Sequence, residues 1–175
     1  IDMLGEAREI LLDAGKSVII GDAGHLKYAG QVIGCNYSNA IAVAKDVDAF
    51  LFIGGGRFHA IGVALATSKP MVVADPYEQS ACSIDAEVQK VMKQRWANIN
   101  EAQRAEHFGI LIGLKSGQKK IDEAFKLKAK LEKIGRKATL MSAREVTPEA
   151  LMEFPTIDAF VNTACLRISP VSYTH

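Results

Sequence analysis

Asp48-Ala49-Phe50-Leu51-Phe52-Ile53-Gly54-Gly55-Gly56-Arg57 and Asp158-Ala159-Phe160-Val161-Asn162-Thr163-Ala164-Cys165-Leu166-Arg167 echo each other 110 positions apart. Each runs from an acid through a short apolar stretch to a small-residue turn that ends in arginine. Apolar runs of this length, bounded by glycine or polar residues, read as buried parallel strands. Ligands of open α/β sheets gather where such strands end. One copy ends there in three glycines and the other in a cysteine, which suggests one site served by two related modules.

A second echo fixes the repeat. Leu12-Asp13-Ala14-Gly15-Lys16-Ser17-Val18-Ile19-Ile20 resembles Glu132-Lys133-Ile134-Gly135-Arg136-Lys137-Ala138-Thr139-Leu140. Both read as a helix end, a capping glycine, a basic residue and a strand. The expected fold is α/β, with two related parallel-sheet domains. The first, residues 1–83, has a helix to residue 14, strands at 18–21, 49–53 and 71–74, and a helix over 58–67. Residues 84–107 form a connecting, mostly polar helix around Trp96. The second, residues 108–175, has strands at 108–114, 137–141 and 157–162, and helices at 118–134 and 148–154. In the helix over 118–134, Ile121, Ala124, Phe125, Leu127, Leu131 and Ile134 share one broad face.

Laid over each other, the units have gaps at opposite ends. The opening strand Phe108-Gly109-Ile110-Leu111-Ile112-Gly113 has no counterpart in the first unit. The closing Lys69-Pro70-Met71-Val72-Val73-Ala74-Asp75-Pro76 has none in the second. Each unit is expected to be short of one strand, and the chain reads as a fragment of a longer protein.

The bulk composition excludes several function classes. The 175 residues are 49% hydrophobic and 23% charged, with a net charge of +1, which gives no general case for nucleic-acid or membrane binding. No apolar stretch approaches the ~20 residues of a membrane helix, and Ile1-Asp2-Met3-Leu4 does not open a signal peptide. Cys35, Cys82 and Cys165 are odd in number and far apart, so no disulfide framework is expected and a reducing, cytoplasmic setting follows. Residues 115–137 hold nine Lys/Arg against three Asp/Glu. They could steer an acidic protein or RNA, but a solvated helix face explains them as well.

Gly54, Gly55 and Gly56 between a strand and a helix suit an anion cradle, since glycines let backbone N–H groups approach phosphate or carboxylate. A tight turn explains them equally well, because neither a dinucleotide fingerprint nor a P-loop is complete. Arg57 could grip a carboxylate with its forked guanidinium or be solvated. His59 stands beside this turn, as a ligand contact or a helix-start residue. Asp75 could bind a ribose hydroxyl or cap the turn that follows. Gln118, in Lys115-Ser116-Gly117-Gln118, could reach a ligand or open its helix. Cys35 sits in the glycine-framed Gly30-Gln31-Val32-Ile33-Gly34-Cys35-Asn36, and Cys165 lies just past a strand. Without a local C-x-x-C, spacing alone assigns no metal to either; isolated cysteines commonly pack as small core residues.

Taken together these segments are far more specific. Gly30 to Cys35, the run Asp48 to Arg57 with Phe58-His59, Ala74-Asp75-Pro76, the strand from Phe108 to Gly113, Lys115 to Gln118, and Phe160-Val161-Asn162-Thr163-Ala164-Cys165 resemble the diphthamide-synthesis family, in its order and over nearly the whole chain. The resemblance, nearest to the archaeal type, implies the second and third domains of a three-domain pseudo-threefold protein, each domain giving one cysteine to a 4Fe–4S cluster. Cys35 and Cys165 match the second and third ligands. The first would lie outside this chain, and Cys82 matches none. Leu166 departs from the family's usual proline, Leu114 and Ser116 vary the Gln118 loop, and the last five residues leave the pattern.

The family's chemistry would follow. S-adenosylmethionine binds an open iron, one electron breaks the bond to its methionine Cγ, and the 3-amino-3-carboxypropyl group passes as a radical to a histidine of translation elongation factor 2. Gly54, Gly55, Gly56, Arg57, His59, Asp75, Gln118 and Arg167 are the implied cofactor contacts. No side chain is assigned as a catalytic acid or base. A homodimer and an electron donor are the expected partners, without membrane or direct nucleic acid. Activity of the fragment alone is not expected. Two other readings stand beside this one: a quinolinate-synthase-like iron–sulfur hydro-lyase, and a non-enzymatic α/β nucleotide-binding module with structural cysteines.

Overall fold

The computed structural model describes residues 2–34, 36–115 and 120–163. The chain divides into two compact units, residues 1–90 and 91–175.

The first unit opens with α1 (Asp2–Asp13). It stops at Gly15, whose φ of 73° suits a residue without a Cβ. The Gly15 N–H donates to the Leu12 carbonyl and the Lys16 N–H to the Leu11 carbonyl, both at 2.9 Å. This is the paired bonding of a Schellman cap. The short α2 (Ser38–Val43) follows a long irregular stretch. Then β1 (Phe50–Ile53), α3 (Phe58–Thr67) and β2 (Met71–Asp75) make a β–α–β unit with parallel strands, Phe50 facing Met71 and Ile53 facing Ala74. On α3, Ala60, Val63 and Ala64 recur at helical spacing and are buried. They pack with Met71, Val73, Ile84, Tyr37 and Ala40 as the unit's core.

Two corrections to the sequence reading arise here. First, the sheet of this unit is mixed rather than wholly parallel. β3 (Ser80–Ser83) returns antiparallel to β2 through a hairpin, giving the order β1-β2-β3. Second, residues 18–21 join no sheet, although they are apolar and follow the same glycine cap as a true strand in the second unit. A strand exists only as half of a pair. No described segment offers residues 18–21 a ladder, and Ile19 and Ile20 remain exposed.

The long helix α4 (Asp85–Ala102) leads out of the first unit and carries no buried residue. Ser83 starts it: its hydroxyl accepts from the Asp85 N–H and donates to the Asp85 carboxylate. In the second unit β4 (His107–Gly113) lies between β5 (Lys137–Ala143) and β6 (Ala159–Asn162), with all three strands parallel. From Phe108 onward every residue of β4 is buried, as a central strand covered on both faces requires. Its covering helix, α5 (Ile121–Lys133), lays Ala124, Leu127 and Leu131 against this sheet. Its end repeats that of α1. Gly135 has a φ of 79°, its N–H reaches Glu132, and the Arg136 N–H reaches Leu131. The last described helix, α6 (Pro148–Met152), is capped by Thr147, whose hydroxyl accepts from the Ala150 N–H at 3.3 Å. No helix among the described residues is long and apolar enough to cross a membrane.

Candidate functional site

The ends of β1 and β2 in the first unit carry most of the residues singled out from the sequence. β1 runs into Gly54, whose N–H still donates to the Ala74 carbonyl at 3.0 Å, so the ladder with β2 lasts one residue past the strand. Gly54 and Gly56 then take φ values of 152° and 78°. The loop turns sharply and delivers the chain to the start of α3.

Asp75 stands at the end of the neighbouring strand. Its Oδ1 accepts from the Tyr77 N–H at 2.9 Å and the Glu78 N–H at 3.3 Å, and so closes the hairpin to β3. Its Oδ2 lies 3.7 Å from where a Cβ on Gly55 would stand, with the Tyr77 ring at 3.5 Å from the same point. One oxygen of Asp75 thus holds the turn and the other faces the glycine loop.

Arg57 is brought to the loop but not turned free toward it. Its guanidinium pairs with Glu87 on α4. Its Nη2 also lies 3.6 Å from the Cys82 sulfur. A carboxylate does bind this fork, but it is one from the protein itself. Sequence reasoning missed Glu87 because it lies 30 residues away on a helix read as a connector.

His59, the second residue of α3, is placed against the segment that bears Cys35. A Cβ on Gly34 would come within 2.9 Å of Phe58 Cε1 and 3.8 Å of His59 Nε2, so a side chain here would press on Phe58. Ile33 and Asn36 bond to each other across the turn, N–H to carbonyl in both directions. The buried Tyr37 donates its hydroxyl to the Gly34 carbonyl at 3.0 Å. That hydroxyl occupies the space a Cβ on Gly62 of α3 would need. Buried Asn39 donates Nδ2 to the Gln31 carbonyl. Each flank of Cys35 is therefore tied to α2 or α3. Tyr37, Asn39 and Gly62 had no motif to announce them; their role exists only once the loop lies on α3.

Cys35, Gln118, Cys165 and Arg167 lie outside the described residues. The approach to Cys165 is described as far as Thr163, whose N–H and hydroxyl both donate to the Leu111 carbonyl, at 3.1 and 2.8 Å, fixing the exit of β6. Cys82 is half-buried in β3. Among the described residues no three His, Cys, Asp or Glu side chains are grouped to hold a metal.

At the opposite edge of the second sheet, the Asp158 carboxylate accepts from the N–H groups of His107 at 2.8 Å and Glu106 at 3.0 Å. These two bonds hold its carboxyl below the usual aspartate range. The His107 ring spans from the Thr156 carbonyl to the Thr139 hydroxyl. This tie joins the starts of three strands, on the side away from their C-terminal ends.

Comparison with known proteins extends this picture. A family model described as "Putative diphthamide synthesis protein" matches residues 1–174. The chain is 38% identical to 2-(3-amino-3-carboxypropyl)histidine synthase of Pyrococcus horikoshii over 169 residues, covering 96% of this chain and 48% of that protein. It is 31% identical to subunit 1 of the synthase of Schizosaccharomyces pombe, covering 97% of this chain and 39% of that protein. The crystal structure of Dph2 from Pyrococcus horikoshii with a 4Fe-4S cluster superposes with a TM-score of 0.82 at 38% identity, over 95% of this chain and 48% of that one. A second Dph2 structure from the same organism has a TM-score of 0.84, over 98% and 49%. The chain spans half or less of the length of these relatives.

Proposed function

The chain belongs to the diphthamide synthesis family, and from that premise we propose that it forms the second and third cysteine-bearing domains of a 2-(3-amino-3-carboxypropyl)histidine synthase. The likeness to a Dph2 solved with a 4Fe-4S cluster, over 95% of this chain, carries the reading. Cys35 and Cys165 are the cluster ligands that this chain supplies, and a third thiolate comes from outside it. The flanks of Cys35 fit that role. The Ile33 and Asn36 backbones bond to each other across the turn, and a Cβ on Gly34 would stand 2.9 Å from Phe58 Cε1. Ordered flanks of this kind suit a site whose ligands come from distant parts of a chain.

The substrate is S-adenosylmethionine, and the acceptor is a histidine of translation elongation factor 2. When bound, the cluster supplies the one electron that breaks the sulfonium bond to methionine Cγ. The protein's own residues bind and orient. The backbone of Gly54, Gly55 and Gly56 receives the carboxylate of the methionine part. Arg57, released from Glu87, adds a forked contact. Asp75 offers its free Oδ2 to a ribose hydroxyl. His59, Gln118 and Arg167 are the remaining contacts of this proposal. The working enzyme is a cytoplasmic homodimer served by an electron donor, and residues 1–175 alone are inactive.

The longer protein that contains this sequence, reconstituted anaerobically with iron and sulfide, tests the reading. Cys35→Ala and Cys165→Ala should each abolish the brown cluster absorbance. Four irons per chain retained in either variant would refute the ligand assignment. Methylthioadenosine release with elongation factor 2 present separates this activity from a quinolinate-synthase-like condensation, which yields none.

A further inference from the structure

Tyr77 is 88% exposed, more than any other large apolar side chain among the described residues. A lone exposed aromatic needs no explanation; what marks this one is its place. Asp75 Oδ1 accepts its N–H at 2.9 Å, and Gln79, with a φ of 49°, turns the chain back into β3 at Ser80. Tyr77 is thus held at the tip of the β2–β3 hairpin, beside the glycine loop. The point where a Cβ on Gly55 would stand lies 3.5 Å from Tyr77 Cδ2, 3.7 Å from Tyr77 Cε2 and 3.7 Å from Asp75 Oδ2. The absent side chain of Gly55 leaves a space bordered by both an aromatic edge and a carboxylate oxygen. The Cδ2–Cε2 edge is the part of the ring nearest Gly55, and the high exposure keeps the ring faces open. These two groups complement the two halves of a purine nucleoside. A carboxylate oxygen accepts from ribose hydroxyls, and a tyrosine face stacks on a base.

We propose that Tyr77 stacks on the adenine of S-adenosylmethionine while Asp75 Oδ2 holds the ribose, which makes the hairpin tip the nucleoside-binding element of this site. The inference rests on the S-adenosylmethionine reading above and adds to it a residue for the base. One oxygen of Asp75 pins the Tyr77 backbone and the other meets the sugar, so a single carboxylate sets both contacts. Stacking needs the flat ring and not its hydroxyl. Methylthioadenosine keeps the same nucleoside, so Tyr77 holds it before and after the sulfonium bond breaks. Tyr77 is a binding residue here, since it touches no reacting atom.

The longer protein, loaded with iron and sulfide, tests this by anaerobic equilibrium dialysis without reductant, so that no turnover occurs. Tyr77→Leu keeps apolar bulk but removes the ring; Tyr77→Phe removes only the hydroxyl. The readouts are iron per chain and the dissociation constants of S-adenosylmethionine and methylthioadenosine. Tyr77→Leu is expected to weaken both ligands by a similar factor, at least about fivefold, at unchanged iron, and Tyr77→Phe to bind both as the unsubstituted protein does. Unchanged binding in Tyr77→Leu overturns the stacking. So does an equal loss in both variants, which would assign the effect to the hydroxyl. A fall confined to S-adenosylmethionine would place Tyr77 at the amino-acid end and overturn the adenine assignment. Failure of the unsubstituted protein to bind S-adenosylmethionine would instead overturn the substrate reading, and the stacking with it.

Discussion

Gly62 and Tyr37 show how a single absent methyl group can place a loop 25 residues away. Gly62 lies inside α3, where alanine would be favoured by about 1 kcal/mol from helix propensity alone. The Tyr37 ring and hydroxyl fill the space that a Cβ would occupy. Overpacking a buried site costs typically 1–3 kcal/mol, so the clash should win. Gly62→Ala is expected to destabilise the chain by up to about 2 kcal/mol in urea unfolding, the excess of that cost over the propensity gain. A variant more stable than the parent by the full propensity gain would show that α3 and Tyr37 do not meet in this way. Tyr37→Phe keeps the ring and loses the bond to Gly34, at a cost of about 0.5–1.5 kcal/mol. At this scale the sequence was only half legible. The glycine-framed Cys35 turn and the three glycines after β1 announce themselves by composition. The contacts of His59 with Phe52, of Tyr37 with Gly62 and of Arg57 with Glu87 join residues with no shared motif. They become visible only when α3 and α4 are in place.

Among the elements, those legible in the sequence had a periodic apolar pattern and a chemical stop. The bounds of α3 follow from its apolar run and from the Lys69-Pro70 pair after it. The ends of α1 and α5 follow from Gly15 and Gly135. β3 escaped because Ser80-Ala81-Cys82-Ser83 has neither alternation nor bulk; it exists because Asp75 closes the hairpin that lays it on β2. Residues 18–21 erred in the other direction, since apolar character proposes a strand and only a neighbour makes one. The clearest energetic device at this scale is Asp158, which ties β6 to the start of β4 through two backbone N–H groups. Its carboxyl is held low by the His107 and then the Glu106 bond. The stability it confers is therefore full above the ordinary aspartate value of about 3.9 and is lost as pH falls through the lower, folded-state value. Asp158→Ala should lower the melting temperature at pH 7, and the gap to the parent should narrow below pH ~4. A gap that stays constant down to pH ~2 would mean that the carboxylate is not what holds the strands.

For the whole molecule, the repeat gives each unit a part that the other clarifies. In the second unit, α5 caps at Gly135 and leads into β5, which pairs with the buried β4. In the first, α1 caps at Gly15 with the same bonds, but no described segment takes the place that β4 holds. The first unit leaves large apolar side chains in solvent: Ile10 is 62% exposed, Leu12 40% and Ile19 48%. The matched relatives are at least twice as long as this chain, and the proposed cluster needs one thiolate more than Cys35 and Cys165 provide. Two thiolates leave two irons of a cubane without protein ligands, whereas three leave a single open iron for substrate. Residues 1–175 alone are therefore expected to bind a fluorescent apolar dye through the uncovered surface of the first unit. They should also hold well under four irons per chain and lose them to a mild chelator. The longer protein should hold four, resist the same chelator and bind little dye. Equal, chelator-resistant loading of both would mean that the ligand set is complete within this sequence. The assignment of a third ligand outside it would then fall, while Cys35 and Cys165 could still be judged by their own alanine variants.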